Sequence, residues 1–229
     1  GSSSVSNALT DLNIARVRVP ADRWIPRCKS VAQQMLQGLK GTVQTVLHPV
    51  EGLEQGAASL LRALSGVRVH AGFWLAYEAV AEEVLTALAE DEGLRGEVVV
   101  TGHSLGGAVG QLLALDLRMR LGADASIALY TFGSPRVGNA SFAGVFSSAV
   151  PRGFRVVFRN DIVSTMPGPP LFVHGGQEVI MDDKGHLRVD PSFVERVFRP
   201  SRRSVTDHTM ASYIRALDAC LTAHRVHAR

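Results

Sequence analysis

Long apolar runs are missing from this 229-residue chain. None reaches the ~18 residues that a membrane-spanning helix requires, so the sequence offers no transmembrane segment. Cysteine is scarce as well. Cys28 and Cys220 allow one bridge at most, which excludes a disulfide scaffold. The 8 histidines show no metal-ligand spacing. Excess charge of one sign is also lacking. The net charge is +3, carried mainly by arginine, and that is too little to argue for nucleic acid. No basic segment followed by an apolar stretch opens the chain, so no signal peptide is read. There is no internal repeat and no low-complexity tract. What remains is a 46% hydrophobic sequence. Its length suits one domain with a sizeable core.

Helices alternate with short apolar strands along the chain. Val5, Ala8, Leu9 and Leu12 recur at helical spacing and predict a short amphipathic helix over 3–13. Ile14 to Val19 alternates apolar and basic residues and reads as a strand ended by Pro20. Val67-Arg68-Val69 alternates in the same way, so the two segments are expected to be arms of one hairpin. Between them, 21–66 has helical periodicity broken at Pro49, a second helix over 57–64 and Gly66 beyond it. This segment reads as a helical insertion at a loop tip. Further helices are expected over 73–90, 106–120 and 209–224. Strands are expected over 97–101, 127–132 and 154–158, with a bent strand or hairpin over 172–181. This alternation predicts an α/β fold with a parallel or mixed sheet covered on both faces.

The chemistry centres on Gly102-His103-Ser104-Leu105-Gly106. The segment follows the apolar Val98-Val99-Val100 and opens a helix, the context of a nucleophile elbow. Gly102 and Gly106 would let strand and helix meet in a sharp turn, with Ser104 held in strained backbone. A serine hydroxyl needs a neighbouring base to become a nucleophile. Downstream, Asp161 lies just past the strand 154–158, and His208 precedes the last helix. Serine, acid and histidine in that order fit the α/β-hydrolase arrangement. Plainer roles exist for each. Asp161 could shape a turn beside Asn160, and His208 could be a loop histidine with Asp207 as the helix cap. The first N–H groups of the elbow helix, beginning at Leu105, could hold an oxyanion. His70, His103, His174, His186 and Asp116 are weaker candidates, and His103 is expected to turn away from the serine.

These residues resemble the class 3 (fungal-type) lipases. The resemblance rests on Gly1-Ser2-Ser3-Ser4-Val5-Ser6-Asn7 with Leu9 to Leu12, on Val69-His70-Ala71-Gly72-Phe73, and on Thr101 to Ala108. It continues through Tyr130 to Asn139, Asn160-Asp161-Ile162-Val163 with Pro167 and Pro170, and Asp207-His208 with Tyr213. It covers 1–20 and 67–229. It implies an α/β-hydrolase domain over 1–229 with a mixed, mostly parallel sheet, and 21–66 inserted into it. It also implies Ser104 as nucleophile, Asp161 as acid and His208 as base, with Leu105 and Ser2 as oxyanion donors. Three departures stand out. The family has strands ahead of the block that begins here at Gly1, so an N-terminally truncated domain with an exposed sheet edge is expected. Ala8 stands where the family's lid often has tryptophan. Residues 21–66 match nothing recognisable in the family.

The expected activity is hydrolysis of lipid carboxylic esters through an acyl-enzyme, without metal or organic cofactor. The expected partner is a lipid ester. The helix over 5–12 reads either as a lid that meets a lipid interface or as a helix packed on the core. Arg196, Arg199, Arg202 and Arg203 read first as a solvated basic loop and second as a contact for anionic headgroups. A phospholipase or galactolipase, or a lipase-like binding protein, are the alternatives.

Overall fold

The structure is a computed structural model and describes residues 16–18, 66–90, 97–192 and 203–227. Strand β1 (Arg16–Arg18) pairs antiparallel with β2 (Arg68–His70), with Val17 opposite Val69. The two arms expected from alternation therefore meet. The helix expected over 3–13, the segment 21–65 and the arginines at 196, 199 and 202 lie outside the described residues. Helix α1 (Ala71–Glu90) follows β2 directly.

A second sheet has the order β3 (Val98–His103), β4 (Ile127–Phe132), β5 (Gly153–Phe158), β6 (Gln177–Met181) and β7 (Leu187–Val189). The first four run parallel, and β7 returns antiparallel to β6. Helix α2 (Leu105–Leu121) connects β3 to β4, and α3 (Ala140–Ala149) connects β4 to β5. Helix α4 (Met210–His227) closes the described chain. β-branched and aromatic residues dominate β3 to β5, as a doubly covered parallel sheet requires. Among the described residues β3 lies at the sheet's edge, with Val99 55% exposed. None of the described helices is long and apolar enough to cross a membrane.

Strand register assigns every sheet residue to a face. Val98 and Val100 share a face with Ile127 and Leu129, and this face packs into a core with Phe73, Trp74, Leu112, Leu115, Phe142 and Phe146. The opposite face carries His103, Phe132, Val156, Phe158, Val179 and Met181. There Val156, Phe158 and Met181 pack against Tyr213, Ala216 and Cys220 of α4. The helix α2 approaches closely at Gly110, where a Cβ would sit 3.3 Å from Leu129 and 3.4 Å from Val100.

Two elements were not anticipated. Helix α3 has Phe142, Val145 and Phe146 buried, and Asn139 caps it by accepting from the Phe142 N–H at 3.0 Å. Both signals stand in the sequence. β7 is three exposed residues with no periodic signal. The strand over 172–181 begins only at Gln177. Val173 makes a single bridge to Gly138, and Gly176 has φ 77° between the two.

Candidate active site

Strand β3 must stop where α2 begins, and Ser104 is the hinge. Its φ of 56° and ψ of −124° place a non-glycine residue in a strained region. The strain is held from both sides. The Ser104 N–H donates to the Phe132 carbonyl at 2.9 Å, and its own carbonyl accepts from Gly107 at 3.0 Å and Ala108 at 3.3 Å. A Cβ at Gly102 would collide with the backbone of Gly106 and lie 2.8 Å from the Gly107 nitrogen, so only glycine fits there. Gly106 differs from expectation. A Cβ there meets nothing within 4 Å among the described residues, so the turn does not need its small size. Gly107 takes over that role, because a Cβ there would lie 2.8 Å from the Ser134 Cβ.

The three expected side chains converge. Ser104 Oγ–H donates to His208 Nε2 at 2.8 Å, and His208 Nδ1–H donates to Asp161 Oδ2 at 2.9 Å. His208 and Asp161 are buried, and Ser104 is half-buried. The sequence separations are 104 and 47 residues, so no local element brings these groups together.

Asp161 leaves β5 at its carboxyl end and serves both readings of its carboxylate. Oδ1 accepts from the Val163 N–H at 2.8 Å and shapes the turn, while Oδ2 faces His208. Oδ2 also accepts from the Tyr213 hydroxyl at 2.6 Å, and that hydroxyl accepts from the Phe158 N–H at 3.1 Å. Burial pushes the Tyr213 phenol far above its usual range, and the Asp161 charge adds to this, so it stays a neutral donor. Gly133 makes room for the cluster. Its φ is +60°, and a Cβ would lie 2.5 Å from Asp161 Oδ2 and 2.9 Å from His208 Nδ1.

The histidine loop is sewn to the acid loop. The Ser204 N–H donates to Asn160 O at 2.8 Å, and the Ile162 N–H donates to Ser204 O at 3.2 Å. Asp207 Oδ2 accepts from the Asn160 N–H at 3.1 Å. Asp207 is therefore a loop fastener and not the helix cap. The cap of α4 is Thr209, whose Oγ1 accepts from the Ser212 N–H at 3.3 Å. Arg136 secures the far end of the acid loop, donating to the carbonyls of Thr165 and, at 3.0 Å, Pro167.

The remaining candidates have other partners. His174 Nε2–H donates to Ser164 O at 2.6 Å, and His186 pairs with Asp182 on an exposed turn. Asp116 accepts from the Tyr77 hydroxyl at 2.6 Å. His70 Nδ1 accepts from the Gly72 N–H at 3.1 Å. His103 sits beside the base: its ring stacks on that of His208 at 4.7 Å. The Leu105 N–H is the first of α2 and lies ahead of the turn that Gly107 and Ala108 close on the Ser104 carbonyl. Ser2 lies outside the described residues. Sequence reasoning assigned no role to Tyr213, Gly133 or His103. Tyr213 and Gly133 stand inside blocks of the family resemblance, but only their contacts reveal what they do.

The family profile described as Lipase (class 3) matches residues 26–170, more than half of the chain. A lipase of Rhizomucor miehei is 39% identical over 126 residues, covering 52% of this chain and 34% of its own length. Phospholipase A(1) DAD1, chloroplastic, of Arabidopsis thaliana is 31% identical over 171 residues, covering 70% of this chain and 36% of its own length. The chain thus spans about a third of the length of these curated relatives. A solved triacylglycerol lipase, reported to have a serine protease triad as its catalytic centre, superposes with a TM-score of 0.61 at 30% identity. That superposition covers 91% of this chain and 67% of the other.

Proposed function

The chain belongs to the class 3 lipases, and from that premise we propose that it is a serine hydrolase that cleaves the carboxylic esters of acylglycerols. One observation carries the reading. Ser104 Oγ, His208 Nε2, His208 Nδ1 and Asp161 Oδ2 form a continuous hydrogen-bonded line of 2.8 and 2.9 Å steps.

The chemistry follows from that line. His208 takes the hydroxyl proton as Ser104 Oγ attacks the ester carbonyl. Asp161 fixes the ring tautomer and stabilises the imidazolium. The carbonyl electrons move to an oxyanion facing the Leu105 N–H, and Ser2 is proposed as the second donor. Each such donor is worth about 2.7–4 kcal/mol of barrier. Collapse expels the alcohol with the proton from His208 and leaves an acyl-serine. Water, deprotonated by His208, then releases the acid and restores Ser104.

Lipid-ester substrates are supported by the surroundings of the triad. Leu105 follows the nucleophile and is 49% exposed, while Val205 and Met210 flank the base at 44% and 51%. Apolar groups at such a site suit an acyl chain or a lipid surface. A fluorophosphonate probe should label Ser104 and leave S104A unlabelled. Emulsified acylglycerol should be hydrolysed by the wild type alone. An unlabelled Ser104 would point to a lipase-like binding protein. The similarity to a plant phospholipase A(1) over 70% of the chain favours a second substrate class, the membrane phospholipids. Product analysis on mixed acylglycerol and phospholipid substrates separates the two.

We further take 1–229 as one domain with 21–66 inserted. Its two readings are an extra helical cover and a substrate gate; an altered acyl-length preference on removal of 24–64 would favour the gate, and full activity with unchanged preference the cover.

A further inference from the structure

His103 is the residue before the nucleophile, and alternation along β3 sends its side chain to the opposite face from Val98, Val100 and Gly102. That face is the one covered by α4 and the histidine loop. The consequence is a direct contact between the elbow strand and the base. His103 Nε2–H donates to the backbone carbonyl of His208 at 2.8 Å. The His103 and His208 rings stack with centroids 4.7 Å apart at 27°, and the Tyr213 ring meets His103 edge-on at 5.5 Å.

We propose that His103 is a positioning residue for the base, setting the distance between the Ser104 backbone and the His208 backbone by bridging the elbow to the histidine loop. This inference rests on the esterase reading of Ser104 and His208.

His208 ends a single 3₁₀ turn, Thr206–His208, a short element with little rigidity of its own. Its Nδ1 is tethered to Asp161, which orients the ring, and the bonds of Ser204 and Asp207 fasten its loop to the acid loop and not to the elbow. Its N–H bonds within the turn, to Val205 O at 3.1 Å. The described bond from the His208 backbone carbonyl to the elbow comes from His103. Because His103 is part of β3, it moves with the Ser104 hinge, and the base inherits the rigidity of the sheet. The stack adds a second contact between the elbow and the His208 ring. Burial holds the His103 imidazole below its usual pKa, so the ring stays neutral while His208 becomes a cation during turnover. The groups facing it are His208, Asp161 and Tyr213. A neutral donor serves here because a cation would oppose the imidazolium.

Three variants separate the donor from the ring. H103F keeps an aromatic face and loses the N–H. H103Q carries an amide N–H at nearly the reach of Nε2, and H103N carries one that stops short. On a soluble short-chain ester, H103F and H103N should lose kcat on the order of ten- to a hundredfold with KM within about twofold. H103Q should retain kcat within about threefold. Thermal melts of all three confirm folding, and the contrast between H103Q and H103N stands even if H103F does not fold. Equal kcat in H103N and wild type, equal losses in H103Q and H103N, or a change confined to KM would each overturn the proposal. Fluorophosphonate labelling of wild-type Ser104 is the separate control. Its failure would remove the esterase reading, whereas labelling with unaltered kcat in H103N would remove only the role of His103.

Discussion

Asp161 Oδ2 accepts two hydrogen bonds at once, from His208 Nδ1 at 2.9 Å and from the Tyr213 hydroxyl at 2.6 Å. The carboxylate can therefore turn toward the base only in the orientation that Tyr213 also permits. Y213F deletes a donor to a buried charge and strips the Phe158 N–H of its acceptor. The expected outcome is a loss of about 2 kcal/mol in stability by urea titration. A fall in kcat on the order of tenfold should accompany it on a soluble ester. Burial lowers the His103 pKa from its ordinary 6.5 in the folded protein. Between the folded and unfolded values the unfolded chain binds the extra proton, so stability rises with pH there. This contribution is complete above about 6.5 and is lost as pH falls through 6.5 toward the folded value. H103Q lacks it. The stability difference between wild type and H103Q should shrink as pH is lowered from neutrality, as urea titrations at several pH values will read.

At the scale of elements, the loop from Gly133 to Asn139 ties β5, the acid loop, β2 and α3 together. The Gly133 N–H reaches the Val156 carbonyl at 3.0 Å, and Arg136 grips the acid loop. Asn139 caps α3 and binds β2 at the same time: Oδ1 accepts from Phe142 and Arg68, and Nδ2 donates to Gly66 O at 2.8 Å. N139A should cost about 2 kcal/mol, above the usual loss of a cap alone, because it also removes the side-chain bonds to Arg68 N–H and Gly66 O. Urea titration measures this. Activity per folded molecule should hold, since the triad does not pass through α3. The same organisation explains why β3 can carry both sides of the site. Its even and odd positions face different layers, so Gly102 receives α2 while His103 receives the histidine loop.

For the molecule as a whole, the parallel strands bring their carboxyl ends to one edge, and Ser104 and Asp161 leave β3 and β5 there. Leu105, Val205 and Met210 are exposed apolar residues beside the triad, and on the proposed reading they would meet assembled lipid. Hydrolysis of an ester should accelerate when its concentration passes the aggregation point. A rate that continues smoothly through that point would leave these residues a role in acyl-chain binding only. Replacing Val205 and Met210 by serine should flatten any acceleration while leaving the rate on monomeric ester within about threefold. Both rates can be read in one titration series.

Local chemistry made much of this legible from the chain alone. Val98-Val99-Val100 before Gly102-His103-Ser104 predicts a strand, a hinge and a helix because each step rests on neighbouring residues. The apolar alternation around 17 and around 69 predicts the two strands for the same reason, and their likeness suggests the pairing of β1 with β2. The order of Ser104, Asp161 and His208, read beside a family resemblance, names a triad. It is the folded sheet that decides whether three groups separated by 104 and 47 residues meet, since hydrogen bonds of 2.8 and 2.9 Å depend on register and loop stitching. Tertiary structure alone brought Tyr213 to the acid, gave Gly133 the space beside it and set His103 against the base. Those contacts join distant segments across the two faces of a sheet, and a local pattern of residues carries no record of which face meets which loop.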